Sequence, residues 1–209
     1  MLSKLYGHTH VSVSAIGFGG MRFGATDDIG RCAALVRYAH ARGINYFDTA
    51  PDYCDDRSEA IVGQGLAGLP RASYTVATKS AKSRGAELRT ELERSLTRLR
   101  VDHIDFFHIW CLMSAEDWQN RLRGGAVDAA RRAQEEGLIR HLVCSSHMHA
   151  DRRHHIRSRY GALGVVRQLR RFRSGSARIG RRYCRFTAEQ LAHGVPEHRR
   201  ARRIGPVRL

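Results

Sequence analysis

The sequence predicts an α/β fold in which a parallel sheet is covered by helices. Short runs of β-type residues alternate with longer amphipathic stretches, giving five strands between residues 14 and 146 of a 209-residue chain. A helical crossover returns the chain to the same end of the sheet, so consecutive strands are expected to be parallel. Repeats of this kind build either an open doubly wound sheet or a (β/α)8 barrel, and their spacing fits both.

Each predicted element is bounded by residues that start or stop it. A small hairpin, 4–8 with 11–14, precedes the repeats; Asp27 or Asp28 is placed to cap the first helix, and Gly43 follows its end near residue 42. The predicted strands cover residues 14–20, 44–49, 74–79, 104–111 and 139–146, and the later helices cover 58–66, 86–99 and 125–136. Beyond Ala150 the pattern stops, and no sixth unit is evident.

The charge of the chain is concentrated at one end. The formal net charge is +16, yet residues 1–150 hold 19 basic and 17 acidic side chains, a balance of only +2. Residues 151–209 hold 17 arginines, no lysine and 3 acidic side chains. Two regions are therefore predicted: residues 1–150, long enough to bury a core, and an Arg-rich tail over 151–209.

Neither a membrane span nor a disulfide framework is indicated. No window reaches 18 consecutive apolar residues, and the N-terminus lacks the apolar stretch of a signal peptide. The five cysteines are scattered without a C-x-x-C pair, which argues against disulfides and against zinc or iron–sulfur sites. A cytoplasmic protein with no membrane contact and no metal is expected.

Three polar residues stand where consecutive predicted strands end. Asp48 lies at the end of the second strand, Tyr53 follows five residues later in the loop, and Lys79 ends the third strand. In barrel enzymes, catalytic groups come from the carboxyl ends of strands and from the loops after them. We expect the carboxylate, the phenol and the amine to converge at one rim.

The segments around these residues resemble a known family. DTAPDY at 48–53 and ATK at 77–79 resemble the D-T-A-x-x-Y and A-T-K elements that hold the catalytic Asp, Tyr and Lys of the aldo/keto reductases. The resemblance covers residues 4 to about 150. It implies a (β/α)8 TIM-barrel fold, present here as about five strand–helix units, and reduction of an aldehyde or ketone with NADP(H) more than NAD(H). Further landmarks resemble the family in the same order: IGFGG at 16–20, LERSLTRL at 92–99 and EGLIRH at 136–141.

Carbonyl reduction explains why these residue types are needed. Hydride goes to carbon while a proton goes to oxygen, and a phenol with a pKa near ~10 is a poor acid at neutral pH unless a cation lowers that pKa. Lys79 would supply the cation, and Asp48 would hold the ammonium in place, which leaves Tyr53 as general acid. Taken singly, Asp48 could instead cap a turn, Tyr53 could pack a loop and Lys79 could be solvated.

The fourth predicted strand departs from the family pattern. A catalytic His is usual near its end, in D-L-Y-x-x-H, but DFFHIW at 105–110 places Trp110 there and His108 two residues earlier. Both side chains share one face of the strand, with His108 about 6–7 Å nearer the strand's start. His108 is expected to be either a buried structural histidine or a displaced catalytic group. Trp110 could form part of the substrate wall with Tyr53.

Small residues at two other strand ends are candidate cofactor contacts. The resemblance implies that Ser145 and Ser146 contact the nicotinamide carboxamide, although an ordinary polar loop explains them equally well. Gly19 and Gly20 could let the backbone approach the cofactor, or could serve turn geometry alone. Asp48 completes the predicted cofactor-binding set.

The break in composition near residue 150 suggests a hypothesis about the gene. An Arg-rich, Lys-free tail is what a GC-rich gene yields when it is translated out of frame, so we predict a frameshift near codon 150. One alternative is a catalytically inactive, truncated remnant. Another is a protein that binds nucleic acid non-specifically through the tail's arginines. The partner expected for residues 1–150 is a small-molecule carbonyl substrate.

Overall fold

The computed structural model describes residues 1–7, 9–24 and 26–147 and the backbone of residues 164–166. Apart from that short segment, the tail predicted at 151–209 lies outside the described residues. The described α-helices are α1 (Ile29–Ala41), α2 (Ser58–Leu66), α3 (Gly85–Leu99), α4 (Ala115–Arg123) and α5 (Ala126–Glu135). The described strands are β1 (Ser3–Leu5), β2 (Ser12–Ser14), β3 (Phe18–Gly19), β4 (Tyr46–Asp48), β5 (Thr75–Ser80), β6 (Ile104–Leu112), β7 (Ile139–Ser146) and β8 (Gly164–Val166).

Six of these strands form one parallel sheet. Its order is β3-β4-β5-β6-β7-β8, so each strand lies beside the one before it in sequence. A doubly wound sheet reverses its order at a switch point, whereas a barrel keeps the order of the chain. The strand order therefore favours barrel winding over the doubly wound alternative that the spacing left open, and the α/β class is confirmed.

The sheet contains one strand more than the sequence analysis predicts. β8 pairs with β7 in parallel, with Gly164 opposite Val143 and Val166 opposite Ser145. No sixth strand–helix unit is evident in the sequence beyond residue 150, and β8 adds a single three-residue strand there. Its sequence is only Gly-Val-Val within an Arg-rich stretch, which is too short for a period to be visible.

Two further differences concern short elements. Helix α4 is not predicted from the sequence, because Trp118 and Leu122 are its only large apolar residues and two such positions give too weak a helical pattern. Its start is fixed by Ser114, whose Oγ accepts a hydrogen bond from the Asp117 backbone N–H at 3.0 Å. The strand predicted over 14–20 is shorter, because Ser14 pairs with Ser3 in the β1–β2 hairpin.

The first helix begins and ends as its sequence predicts. The Asp28 side chain accepts a hydrogen bond from the backbone N–H of Arg31 at 2.9 Å, which satisfies a donor of the first turn. Gly43 follows the helix with φ +87°, in the left-handed region that glycine adopts readily. α1 is thereby held between two fixed ends.

Side chains alternate between two faces of the sheet. On β6, Phe107 and Ile109 are fully buried in the core that the helices form on one face. Phe106 belongs to a separate cluster on the other face, called here the inner face. The β1–β2 hairpin supplies Tyr6 to that cluster, with its ring centroid 4.3 Å from that of Phe106. His108 is two residues after Phe106, so it also lies on the inner face.

In the described part of the chain, the helices lack the combination of length and apolar character that a bilayer crossing requires.

Candidate active site

An ion pair joins the ends of two neighbouring strands. Asp48 is the last residue of β4, and Lys79 lies near the end of β5. Lys79 Nζ donates to both carboxylate oxygens of Asp48, at 2.7 and 2.8 Å. Burial raises the pKa of the Asp48 carboxyl, and the charge and hydrogen bonds of Lys79 oppose that rise. The pairing predicted from the sequence is present.

Tyr53 lies against this ion pair. Its side chain is nearly buried, and Lys79 Nζ lies over its ring at 5.1 Å from the centroid. Burial, followed by the negative charge of Asp48 and a contribution from Cys111, raises the pKa of Tyr53 to about 12. The lowering of this pKa that is expected from Lys79 does not prevail, because burial and the charge of Asp48 dominate the net shift.

His108 lies beside Lys79 on the next strand. The two residues are partners in the β5–β6 register. The imidazole is 4% exposed, and neither ring nitrogen has a hydrogen-bond partner among the described residues. Burial, followed by the charge of Lys79, lowers the pKa of His108 to about 3. His108 is therefore a neutral imidazole at physiological pH, with one donor and one acceptor facing the interior.

Trp110 lies two residues after His108 on the same face of β6, nearer to the carboxyl end of the strand. Its ring meets that of Tyr53 edge to face, with centroids 5.7 Å apart and planes at 85°. The Tyr53 ring thus contacts both the ammonium of Lys79 and the indole of Trp110. The structure brings together the five residues predicted on β4, β5, β6 and the loop after β4: Asp48, Tyr53, Lys79, His108 and Trp110.

The two serines of β7 brace an irregular end of β6. The β6–β7 register shifts between Ile109 and Leu112, and Cys111 within that stretch has φ +60°. Ser145 Oγ accepts a hydrogen bond from the Cys111 backbone N–H at 3.0 Å, and the Ser146 hydroxyl donates to the Leu112 carbonyl at 3.1 Å. Both serines are buried, and this bracing role is not visible in the sequence.

Gly19 and Gly20 have different surroundings. Gly19 pairs with Asp48 in the β3–β4 register, and an added Cβ would meet nothing within 4 Å. A Cβ on Gly20 would lie 2.5 Å from Ser58 Oγ, so Gly20 is needed for close packing. The Ser58 hydroxyl donates to the Gly20 carbonyl at 2.8 Å and lies 2.7 Å from the Thr49 hydroxyl. This buried contact joins α2 to the ends of β3 and β4.

The turn that follows Tyr53 has no recognisable signal in the sequence. Cys54, Asp55 and Asp56 have φ of +56°, +53° and +65°, so three consecutive non-glycine residues are left-handed. Asp56 forms a two-pronged ion pair with Arg98 of α3. This contact joins residues 42 positions apart in sequence, and local patterns give no signal for it.

No group of three or more His, Cys, Asp or Glu side chains within the described ranges is arranged to hold a metal ion.

The sequence of the chain is similar to those of known proteins. The aldo/keto reductase family model matches residues 15–163. Over 153 residues the chain is 35% identical to L-galactose dehydrogenase of Arabidopsis thaliana, covering 66% of this chain and 46% of that protein. Over 193 residues it is 30% identical to the NADH-specific methylglyoxal reductase of Escherichia coli, covering 77% of this chain and 56% of that protein.

Solved structures show the same fold. An aldo/keto reductase from Klebsiella pneumoniae in complex with NADP and acetate superposes with a TM-score of 0.58 at 25% identity, covering 69% of this chain and 50% of that one. The chain spans about half the length of the curated relatives just described. Because the family model covers well over half of the sequence and the strand order is that of a barrel, the chain belongs to the aldo/keto reductase family.

Proposed function

We propose that the chain is an oxidoreductase that transfers hydride between a nicotinamide cofactor and an aldehyde or ketone. The observation that carries this proposal is the convergence of Asp48, Lys79 and Tyr53 at the ends of two neighbouring strands, with the ammonium held by the carboxylate and lying over the phenol ring. Membership of the aldo/keto reductase family supports the same reaction class.

Tyr53 is the proposed general acid. When bound, the reduced nicotinamide supplies hydride to the carbonyl carbon. Tyr53 donates its Oη proton to the carbonyl oxygen, so that the C=O bond becomes a C–H and an O–H. A phenol whose pKa is raised to about 12 stays protonated at neutral pH, and it remains a stronger acid than the alcohol that forms. Lys79, held by Asp48, stabilises the phenolate that is left behind.

His108 and Trp110 complete the proposed site along β6. A buried neutral imidazole whose nitrogens lack protein partners among the described residues is suited to hold a water molecule or a substrate oxygen beside Lys79. Trp110 contributes an apolar wall next to the phenol. His108 is thus proposed as a catalytic contributor, and Trp110 and Tyr53 as substrate contacts.

The residues at the neighbouring strand ends fit a nicotinamide cofactor. Gly19 leaves open space next to Asp48, which permits close approach of a ligand to the backbone. The Ser145 hydroxyl accepts one hydrogen bond, so its own proton can be donated to a carboxamide oxygen. We propose Gly19, Gly20, Asp48, Ser145 and Ser146 as cofactor-binding residues.

The cofactor preference is proposed as NADP(H) ahead of NAD(H). A related structure holds NADP, whereas one relative is named for NADH, so both must be compared. The full-length chain should be titrated with NADPH and with NADH while cofactor fluorescence is followed. Methylglyoxal should then be added as a first carbonyl probe, with the loss of reduced cofactor as the signal.

Saturable binding followed by carbonyl-dependent oxidation of the cofactor is the expected result. A soluble, folded chain that binds neither cofactor contradicts the proposal and supports the inactive remnant instead. The nucleic-acid alternative depends on residues 151–209, which lie almost entirely outside the described residues.

A further inference from the structure

The turn after Tyr53 adopts an unfavourable backbone conformation. For residues other than glycine, the left-handed region brings Cβ close to the following carbonyl oxygen, and single Asn or Asp residues are its usual occupants. Here Cys54, Asp55 and Asp56 adopt it in succession, directly after the proposed general acid. A run of this kind persists only where surrounding contacts hold it in place.

The strongest contact that holds the turn comes from α3. Both Nη atoms of Arg98 donate to the two carboxylate oxygens of Asp56, one of them at 2.7 Å. The pairing lowers the pKa of the Asp56 carboxyl, with the Arg98 hydrogen bond as the main cause. Arg57 adds a weaker support, since its Nη1 donates to the Thr26 carbonyl at 3.0 Å.

Arg98 also connects the turn to the strand of Lys79. Its Nη1 lies 3.8 Å from the fully buried carboxylate of Glu59 on α2. Glu59 in turn accepts a hydrogen bond from the Thr78 hydroxyl at 2.7 Å, and Thr78 immediately precedes Lys79 in β5. A continuous set of polar contacts therefore runs from the turn after Tyr53, through Arg98 of α3 and Glu59 of α2, to β5, which carries Lys79.

We propose that Arg98 is a positioning residue, which holds Asp56 and the left-handed turn so that the Tyr53 ring keeps its contacts with Lys79 and Trp110. Arg98 touches neither the phenol nor the proposed substrate, and acts through the backbone of the turn. This inference rests on the proposed function for its catalytic consequence, but the placement of the ring can be measured without cofactor or substrate.

The edge-to-face contact between Tyr53 and Trp110 provides that measurement. Near-ultraviolet circular dichroism of the full-length chain is recorded for each variant and for its Trp110→Phe counterpart, and the difference isolates the Trp110 signal. Tyr53→Ala defines the spectrum in which the contact is lost. The test variants are Asp56→Asn, Arg98→Ala and Arg98→Lys. The matched control is Arg89→Ala, which lies on α3 like Arg98 and removes the ion pairs of Arg89 with Glu93 and Glu136.

We expect Asp56→Asn and Arg98→Ala to shift the Trp110 signal by more than half of the way to that of Tyr53→Ala. Arg98→Lys keeps the charge without the two-pronged geometry and should restore part of the signal, while Arg89→Ala should leave it unchanged. In steady-state turnover, Asp56→Asn and Arg98→Ala should lower kcat about 10- to 100-fold and change KM less than about twofold.

A native Trp110 signal in Asp56→Asn overturns the proposal. Asp56 is 41% exposed at its side chain, so this variant should fold even where Arg98→Ala, which leaves Glu59 without its neighbouring cation, does not. If the signal shifts but the unaltered chain shows no turnover, the positioning role stands and the proposed function fails. If the unaltered chain turns over and Asp56→Asn keeps both signal and kcat, the positioning role fails alone.

Discussion

At the scale of single residues, the phenol of Tyr53 offers the most direct test of the proposed chemistry. Replacing Tyr53 with Phe removes one oxygen and retains the ring that meets Trp110. Since general acid catalysis contributes roughly 10²- to 10⁴-fold, kcat for carbonyl reduction should fall by about that factor while the cofactor Kd stays the same. Steady-state kinetics and cofactor titration measure the two quantities.

Tyr74→Phe is the matched control for that variant. Tyr74 is a buried tyrosine too, and it lies beneath the guanidinium of Arg71, 5.0 Å from the ring centroid. Its hydroxyl has no place in the proposed reaction, so kcat should be unchanged. Equal losses of kcat in Tyr53→Phe and Tyr74→Phe would contradict the role of the Tyr53 hydroxyl as general acid.

His108 should make the folded protein sensitive to acid. Its pKa is about 3 in the folded state, against an ordinary value near 6.5. The unfolded chain therefore takes up the proton first, and the stability contributed by the neutral imidazole is complete above pH 6.5 and is lost as the pH falls towards 3. The slope of this loss is at most about 1.4 kcal/mol per pH unit.

The His108→Leu variant isolates this effect. Urea unfolding at pH 7 and pH 5 gives the free energy of unfolding of both proteins. The unaltered chain should lose more stability between the two pH values than the variant does. Parallel losses in the two proteins would mean that His108 is already accessible to protons in the folded state.

At the scale of elements, α2 depends on glycine for its packing. A Cβ on Gly63 would lie 2.3 Å from the Arg98 carbonyl oxygen and 2.7 Å from Leu99 Cα, both of which are backbone atoms of α3. Gly63→Ala should therefore push the two helices apart and destabilise the protein by about 1–3 kcal/mol. The midpoint of thermal or urea unfolding measures the loss.

A second glycine-to-alanine change serves as the control. A Cβ on Gly30, in the first turn of α1, meets only Asp28 Oδ1, at 3.5 Å. Gly30→Ala should leave stability unchanged or raise it by up to about 1 kcal/mol, because alanine loses less backbone entropy in a helix. Destabilisation of both variants to the same extent would contradict the packing argument.

The elements also show what local sequence can and cannot predict. Local sequence predicts that Asp48, Tyr53 and Lys79 lie close together. Each belongs to a short segment at a strand end or in the loop after it, and the strand order brings those ends together. The Arg98–Asp56 contact depends on how α3 packs against a loop 42 residues earlier, which no periodicity encodes. The pKa of Tyr53 depends on burial, which the sequence pattern does not give.

At the scale of the whole molecule, the predicted frameshift near codon 150 can be tested on the gene. The composition changes abruptly there, with 17 arginines and no lysine over residues 151–209. Resequencing codons 140 to 220, together with an intact mass of the protein, should show a missing or extra base. The restored frame should then encode further strand–helix units with a balanced charge.

An unaltered gene with a matching mass is the contrary outcome. The Arg-rich tail would then be genuine sequence. In the described structure the chain continues the sheet to β8 (Gly164–Val166), so a frame change must be located on the nucleotide sequence and not from the change in charge alone.

The sequential strand order has a consequence for how the protein forms during synthesis. Because each strand of the sheet from β4 onwards pairs with its immediate predecessor, we expect every new strand–helix unit to dock against a strand that has already left the ribosome. Such neighbour-by-neighbour assembly lets folding begin before translation ends, because the partner of each new strand precedes it in the chain. The ion pair between β4 and β5 is therefore expected to be in place early, before the codons in which the frameshift is predicted have been read.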